Sequence, residues 1–210
     1  MPTLPAAVPV VANLAALITE ISAAVLLATL FAVVRRQVKP RAYFELWERA
    51  WAVLALSLVL LLARHIPGAP SLLGLVGYQG GNFVFFGLLL LGALAYQRHD
   101  RPLPVGPATA VMVFLGVVTA WLSNSPYTAV AWQSPFAMAM CGASAWRLAA
   151  LPSARQTFGT HATSGALLVY ALTWTLYGTA ILTPGTTLAV LLAPLVRHQV
   201  YLDTLTLGAL

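Results

Sequence analysis

Charge is what this 210-residue chain has least of: five acidic and eleven basic residues, only one of them lysine, so that 8% of positions are charged. A water-soluble domain carries about a quarter of its residues as Asp, Glu, Lys and Arg, and a chain this poor in them cannot keep its apolar surface out of water. Cysteine is nearly absent too. Cys141 stands alone, which excludes an intramolecular disulfide and gives no information on redox compartment. No Walker motif, dinucleotide fingerprint or metalloprotease motif occurs, and no inverted pair of interrupted hydrophobic segments of the transporter kind stands out. These absences weigh against an enzyme or a pump, and no catalytic residue, cofactor or metal is predicted.

What is present is apolar. Hydrophobic residues make up 60% of the chain, the mean hydropathy is +0.85 and the pI is near 10. The net charge of +6 does not indicate nucleic acid, because the basic residues flank apolar segments, as membrane orientation requires.

A membrane-spanning helix needs about 20 mostly apolar residues. Six such segments are predicted: about Val8–Val34, Phe44–Ala63, Ser71–Tyr96, Val105–Leu122, Thr128–Trp146 and Ser164–Leu182. The first has no Lys or Arg ahead of it, which favours a retained helix over a cleaved signal peptide. Breakers follow the second, fourth and sixth: Pro67-Gly68, Ser125-Pro126 and Pro184-Gly185. The third is interrupted by the polar run Gln79-Gly80-Gly81-Asn82. Beyond the sixth, Leu188–Leu195 is split by Pro194 and too short to span. A new helical pattern begins near Val200 and reaches Leu210, either as an incomplete seventh helix or as a surface helix. The expected fold is therefore all-α: a polytopic transmembrane helix bundle, six complete spans plus the start of a seventh, forming one integral membrane domain over residues 1–210.

Orientation follows from the basic residues. The loops after the first, third and fifth segments hold Arg35, Arg36, Lys39, Arg41, Arg98, Arg101, Arg147 and Arg155, with Arg49 just inside the second helix, whereas the opposite loops hold only Arg64 and Arg197. The amino terminus is expected outside, in the inner (cytoplasmic) membrane of a bacterial cell. Tryptophans agree, with Trp47 and Trp146 near the inner interface and Trp121 and Trp132 near the outer.

At the start of the second helix, the stretch from Arg41 through Tyr43-Phe44-Glu45-Leu46-Trp47 to Trp51 and Leu56 resembles the opening of the second helix in multi-helix sensor modules. Those modules form the membrane-embedded amino-terminal part of many bacterial diguanylate cyclases and histidine kinases. The likeness extends over about a third of the chain as a motif and over all of it in helix count and loop lengths. It implies a sensory input module that couples an extracytoplasmic or intramembrane cue to a cytoplasmic output. This sequence departs from the pattern in carrying no cyclase, kinase or coiled-coil segment up to Leu210, which keeps a non-catalytic accessory subunit of a larger membrane complex as the alternative and a small transporter as a third reading. Trp-rich helix starts also serve simple interfacial anchoring.

Few residues are polar inside the spans, and they are the candidate ligand-binding set. Glu20 lies mid-helix, where an ionised carboxylate is costly, and Asn13, two turns earlier, shares its face. Tyr78, Gln79 and Asn82 sit among glycines in the third segment, either as a helix break lining a pocket or as a close-packing surface, followed by Phe83, Phe85 and Phe86. In the sixth segment Tyr170, Trp174 and Tyr177 form one stripe at i, i+4 and i+7. Glu45 is spaced to pair with Arg41 and Arg49. His65, His198 and Asp203 do not make a convincing metal site. His99 and His161 lie outside the spans, which disfavours haem, and Lys39, in a loop, excludes a retinal Schiff base. The expected partners are the lipid bilayer, a cytoplasmic effector domain or other membrane subunits, and a second copy of the chain as a homodimer; nucleic acid is not among them.

Overall fold

A chain surrounded by hydrocarbon must satisfy its backbone N–H and C=O groups internally, and the helix does so within one segment. The computed structural model is built accordingly. It describes residues 7–37, 41–63, 71–98, 103–123, 126–153, 156–183 and 186–187, which fold into α1 (Ala7–Gln37), α2 (Ala42–Ala63), α3 (Ser71–Gln97), α4 (Val105–Leu122), α5 (Pro126–Ala149) and α6 (Phe158–Leu182). All but α5 are long and apolar enough to cross a membrane. The exception contains Gln133, Ser134 and an internal Pro135. The segment from Leu188 to Leu210, with the pattern beginning near Val200, lies outside the described residues, as do Lys39, Arg64, His65, His99, Arg101, Arg155, Arg197, His198 and Asp203.

Helix ends are closed by local hydroxyls. Thr157 and Thr160 cap α6 reciprocally, the Thr160 N–H donating to Thr157 Oγ1 (3.2 Å) and the Thr157 N–H to Thr160 Oγ1 (2.8 Å). At the far end, Thr183 Oγ1 donates back to the Thr179 carbonyl at 2.7 Å.

α3 is the axis of the bundle. It packs on α2, α4 and α5, while α1 lies on α2 and α6 on α5; α4 and α5 barely touch. Small residues set the closest approaches. A Cβ on Gly116 of α4 would lie 2.7 Å from the Gly80 nitrogen of α3, and one on Gly178 of α6 would lie 2.7 Å from Ser134 Cβ of α5. Both contacts require glycine, as close helix packing in a membrane commonly does. Contrary to one expectation, α3 is not broken at Gln79-Gly80-Gly81-Asn82: the helix runs continuously from Ser71 to Gln97, and the neighbouring Gly77 and Gly81 accommodate Leu60 and Ser57 of α2.

The core contains Trp51, Leu54, Phe85, Phe86, Tyr170, Trp174 and Tyr177, and the outer surface carries Leu26, Phe114, Trp121 and Leu168. An apolar exterior around an aromatic interior suits a lipid solvent. Every arginine among the described residues lies at one end of the bundle, where α1, α3 and α5 finish and α2 begins. Two contacts tie that end together: Arg35 Nε to Glu48 Oε2 at 2.7 Å, between α1 and α2, and Arg147 Nη1 to Gln97 Oε1 at 3.4 Å, between α5 and α3.

Candidate functional site

The aromatic opening of α2 is a three-helix clasp. Tyr43 and Trp47 pack against Tyr96 of α3 with ring centroids 4.8 and 6.4 Å apart, and Trp47 meets Phe31 of α1 at 5.8 Å. Trp51, one turn on, packs on Phe85 at 5.1 Å. Contacts of this kind contribute about 0.5–1.5 kcal/mol each beyond area burial, so the residues carrying the sensor-like motif have a packing role. Glu45 pairs with Arg49 on its own helix. Glu48, the next carboxylate, reaches across to Arg35, a partner that local spacing did not indicate.

The polar interior lies elsewhere, between α3, α5 and α6. Phe83 of α3 stacks on Phe136 of α5 at 4.4 Å, and Gln97 near the end of α3 meets Arg147 near the end of α5, so these two helices run in the same direction. Gln79 is one turn before Phe83 and Gln133 nearly one turn before Phe136, which places both carboxamides at one level. Their rotations agree. On α3, Phe83 points to α5, and Phe86 points to Tyr170 and Trp174 of α6 at 6.0 and 5.6 Å. At about 100° per residue, Gln79 falls between those two directions. On α5, Phe136 faces α3 and Ser134 faces Gly178 of α6. Gln133 falls between them, on the same side as the wholly buried Ala137 and Cys141. The stripe of α6 completes the enclosure: Trp174 is at 6.2 Å from Tyr170 and 6.0 Å from Tyr177, both edge-on.

Gln79 and Gln133 are both 0% exposed. Neither their amide nitrogens nor their carbonyl oxygens have a hydrogen-bond partner among the described residues, and the same holds for the buried Nε1 of Trp174. A buried polar group left unsatisfied costs about 1–3 kcal/mol, and five such atoms on three adjoining helices form an unusual concentration in a fold this apolar. Asn82 is different: its Nδ2 donates to the Tyr78 carbonyl at 2.9 Å, an internal bond of α3. Ser134 Oγ likewise donates to the Val130 carbonyl at 2.7 Å.

The structure thus sets Gln79, from the sequence-based set, level with Gln133, which the set lacked; of the α6 stripe Tyr177 lies nearest that level, while Trp174 and Tyr170 pack on Phe86 further along α3, and Asn82 and Tyr78 belong to the adjoining turns of α3. It does not bring Glu20 to them. Glu20 is buried at 7% exposure on α1, which among the described helices packs on α2 alone. The side chain of Asn13 lies outside the described residues. Gln133 escaped notice because it sits in the least hydrophobic of the six segments, where one more polar residue is no anomaly; only the register against α3 shows that it is enclosed. No group of His, Cys, Asp or Glu among the described residues is arranged to hold a metal ion. No protein-family model, curated protein or solved structure matches this chain.

Proposed function

We propose that this chain is a multi-pass sensory input module of a bacterial cytoplasmic membrane, with its amino terminus outside, six spans and a seventh helix begun near Val200. The observation that carries this reading is the pair of buried, unpartnered carboxamides on α3 and α5, enclosed by the aromatic stripe of α6. A guest that satisfies the amides changes the relative free energies of helix arrangements, and such a differential is what a sensor needs. The gathering of arginines at one end supports the orientation, and the aromatic clasp beside them is the edge that would face a cytoplasmic output.

The test couples the chain to a cytoplasmic cyclase domain in cells and measures cyclic dinucleotide. Gln79→Leu and Gln133→Leu are expected to lock the output, removing its response to growth conditions, while Gln133→Asn retains part of it. Membrane levels are measured in parallel. Variants that insert normally and respond like the parent would overturn the sensory reading.

An accessory-subunit role is favoured by α4, which shows Val111, Phe114 and Trp121 to the outside and, among the described helices, has α3 as its only extensive neighbour. It predicts co-purification with other membrane subunits, and loss of that association on Phe114→Ala.

A further inference from the structure

A proline inside a helix leaves one carbonyl over. Pro135 has no N–H, so the carbonyl of Ala131, four residues earlier in α5, has no helical donor. In hydrocarbon an unsatisfied backbone group is costly. The hydroxyls nearby are committed elsewhere: Ser134 Oγ donates to the Val130 carbonyl, and Thr179 and Thr183 of α6 donate to the carbonyls of Thr175 and Thr179. A hollow of about 330 Å³ lies over this same face, walled by Thr128, Ala131, Trp132 and Pro135 of α5 and by Ile181 and Leu182 of α6. A helical carbonyl points along the axis toward the residue four positions on, so the freed oxygen belongs to the wall that Ala131 and Pro135 share. The hollow also has a direction. Thr128 is in the first turn of α5 and Leu182 ends α6, which puts the carbonyl near the end of the bundle opposite the described arginines. A second hollow of about 210 Å³ shares Pro135 and Leu182 with the first and continues past Met138 and Thr175. From Ala131 to Met138 is about 10 Å along the axis. A hydrogen-bond acceptor near the membrane surface, followed by an apolar track toward the middle of α5, matches the profile of an amphiphile. Its head is a donor without charge, since the only charged side chain on α5 is Arg147 in the last turn and α6 has none in its last turn.

We infer that this groove between α5 and α6 is a binding site for a membrane-dissolved amphiphile with an uncharged hydroxyl head, which donates to the Ala131 carbonyl while its chain lies along Pro135, Leu182 and Met138. Trp132, exposed at the same level, flanks the head. The site is separate from the buried carboxamides, because neither Gln79 nor Gln133 lines either hollow, and the assignment stands independently of the sensory reading.

The probe is azioctanol, a photoreactive octanol. The full chain is reconstituted in vesicles of phosphatidylcholine, a lipid without hydrogen-bond donors, and the adducts are mapped by mass spectrometry. Labelling is expected to saturate and to concentrate on residues 128–138 and 174–182. Octanol should compete about fivefold better than octyl methyl ether at equal concentration in the membrane, the worth of one net hydrogen bond; the ether keeps the chain and the oxygen but has no O–H. Pro135→Ala supplies the missing N–H to Ala131, in a change that favours the helix, and should erase the difference between alcohol and ether. The comparison in the parent protein stands even if that variant inserts poorly. Labelling that never saturates, or that spreads over the other lipid-facing helices, would mean annular lipid contact alone. Equal competition by the ether would mean an apolar groove alone, and a preference that survives Pro135→Ala a different acceptor; each of these overturns the assignment.

Discussion

Among single residues, the polar ones separate into those the helix satisfies and those it leaves over. Most serines and threonines with a bond in the helices donate to their own backbone, as Thr29 does to Val25 and Ser144 to Met140, at 2.8 and 2.7 Å, whereas Ser164 of α6 donates to the Ala145 carbonyl of α5 at 2.9 Å. A longer carboxamide cannot do so as easily without curling back on its helix, which is why Gln79 and Gln133 remain while Asn82 does not. Arg35 and Glu48 illustrate the opposite environment. Their 2.7 Å bridge joins α1 to α2, with side chains 36% and 22% exposed, so solvent screens much of the attraction. Glu48→Gln is expected to cost about 0.5–1 kcal/mol, and the loss should shrink between about 0.05 and about 0.5 M NaCl. Unfolding of the purified protein at the two salt concentrations measures it; a loss indifferent to salt would assign the effect to packing.

Among the helices, glycine placement decides which can approach. The sequence displays Gly77, Gly80 and Gly81 as one cluster, yet their surroundings differ. A Cβ on Gly80 meets nothing within 4 Å, whereas one on Gly116, directly opposite, meets the Gly80 backbone at 2.7 Å. Gly80→Ala is therefore expected to be close to neutral, and Gly116→Ala to destabilise by about 1–3 kcal/mol through forced separation of α3 and α4. Thermal unfolding of the two variants side by side tests the contrast, and equal losses would contradict the close approach. The helix ends were legible beforehand, since predicted Val105–Leu122 coincides with α4 and predicted Ser164–Leu182 differs from α6 only by the capped turns from Phe158. That difference has a local cause: the Thr157–Thr160 capping box extends the helix into a polar segment that hydropathy alone excludes. The continuity of α3 through Gln79–Asn82 was not legible, because glycines and amides mark a break in isolation but pack as a seam once α2 and α4 flank them.

For the whole molecule, orientation is the property that charge governs. In a Cys141→Ala background, chosen because Cys141 is wholly buried and the chain's only thiol, Thr186→Cys, at the end opposite the described arginines, should react with a membrane-impermeant maleimide added outside cells. Arg98→Cys should react only after the membrane is opened. The reverse pattern would invert the proposed topology. Assembly around α3 also explains why Glu20, the most conspicuous polar residue in the sequence, stands apart from the enclosed amides: among the described helices, α1 reaches the bundle only through α2.

The sequence by itself determined the class, the helices and their alternation, because hydropathy and breaker residues act locally and apolar runs of about 20 residues suit a spanning helix, whose backbone is satisfied within one segment. It also exposed most of the residues that line the interior, through their polarity or their spacing. Which of them meet was decided by tertiary structure alone. The parallel register of α3 and α5, set by the Phe83–Phe136 stack, brings Gln79 level with Gln133, and the Gly178–Ser134 contact fixes the height of α6 against α5; pairings between residues more than forty positions apart leave no periodic trace in the chain.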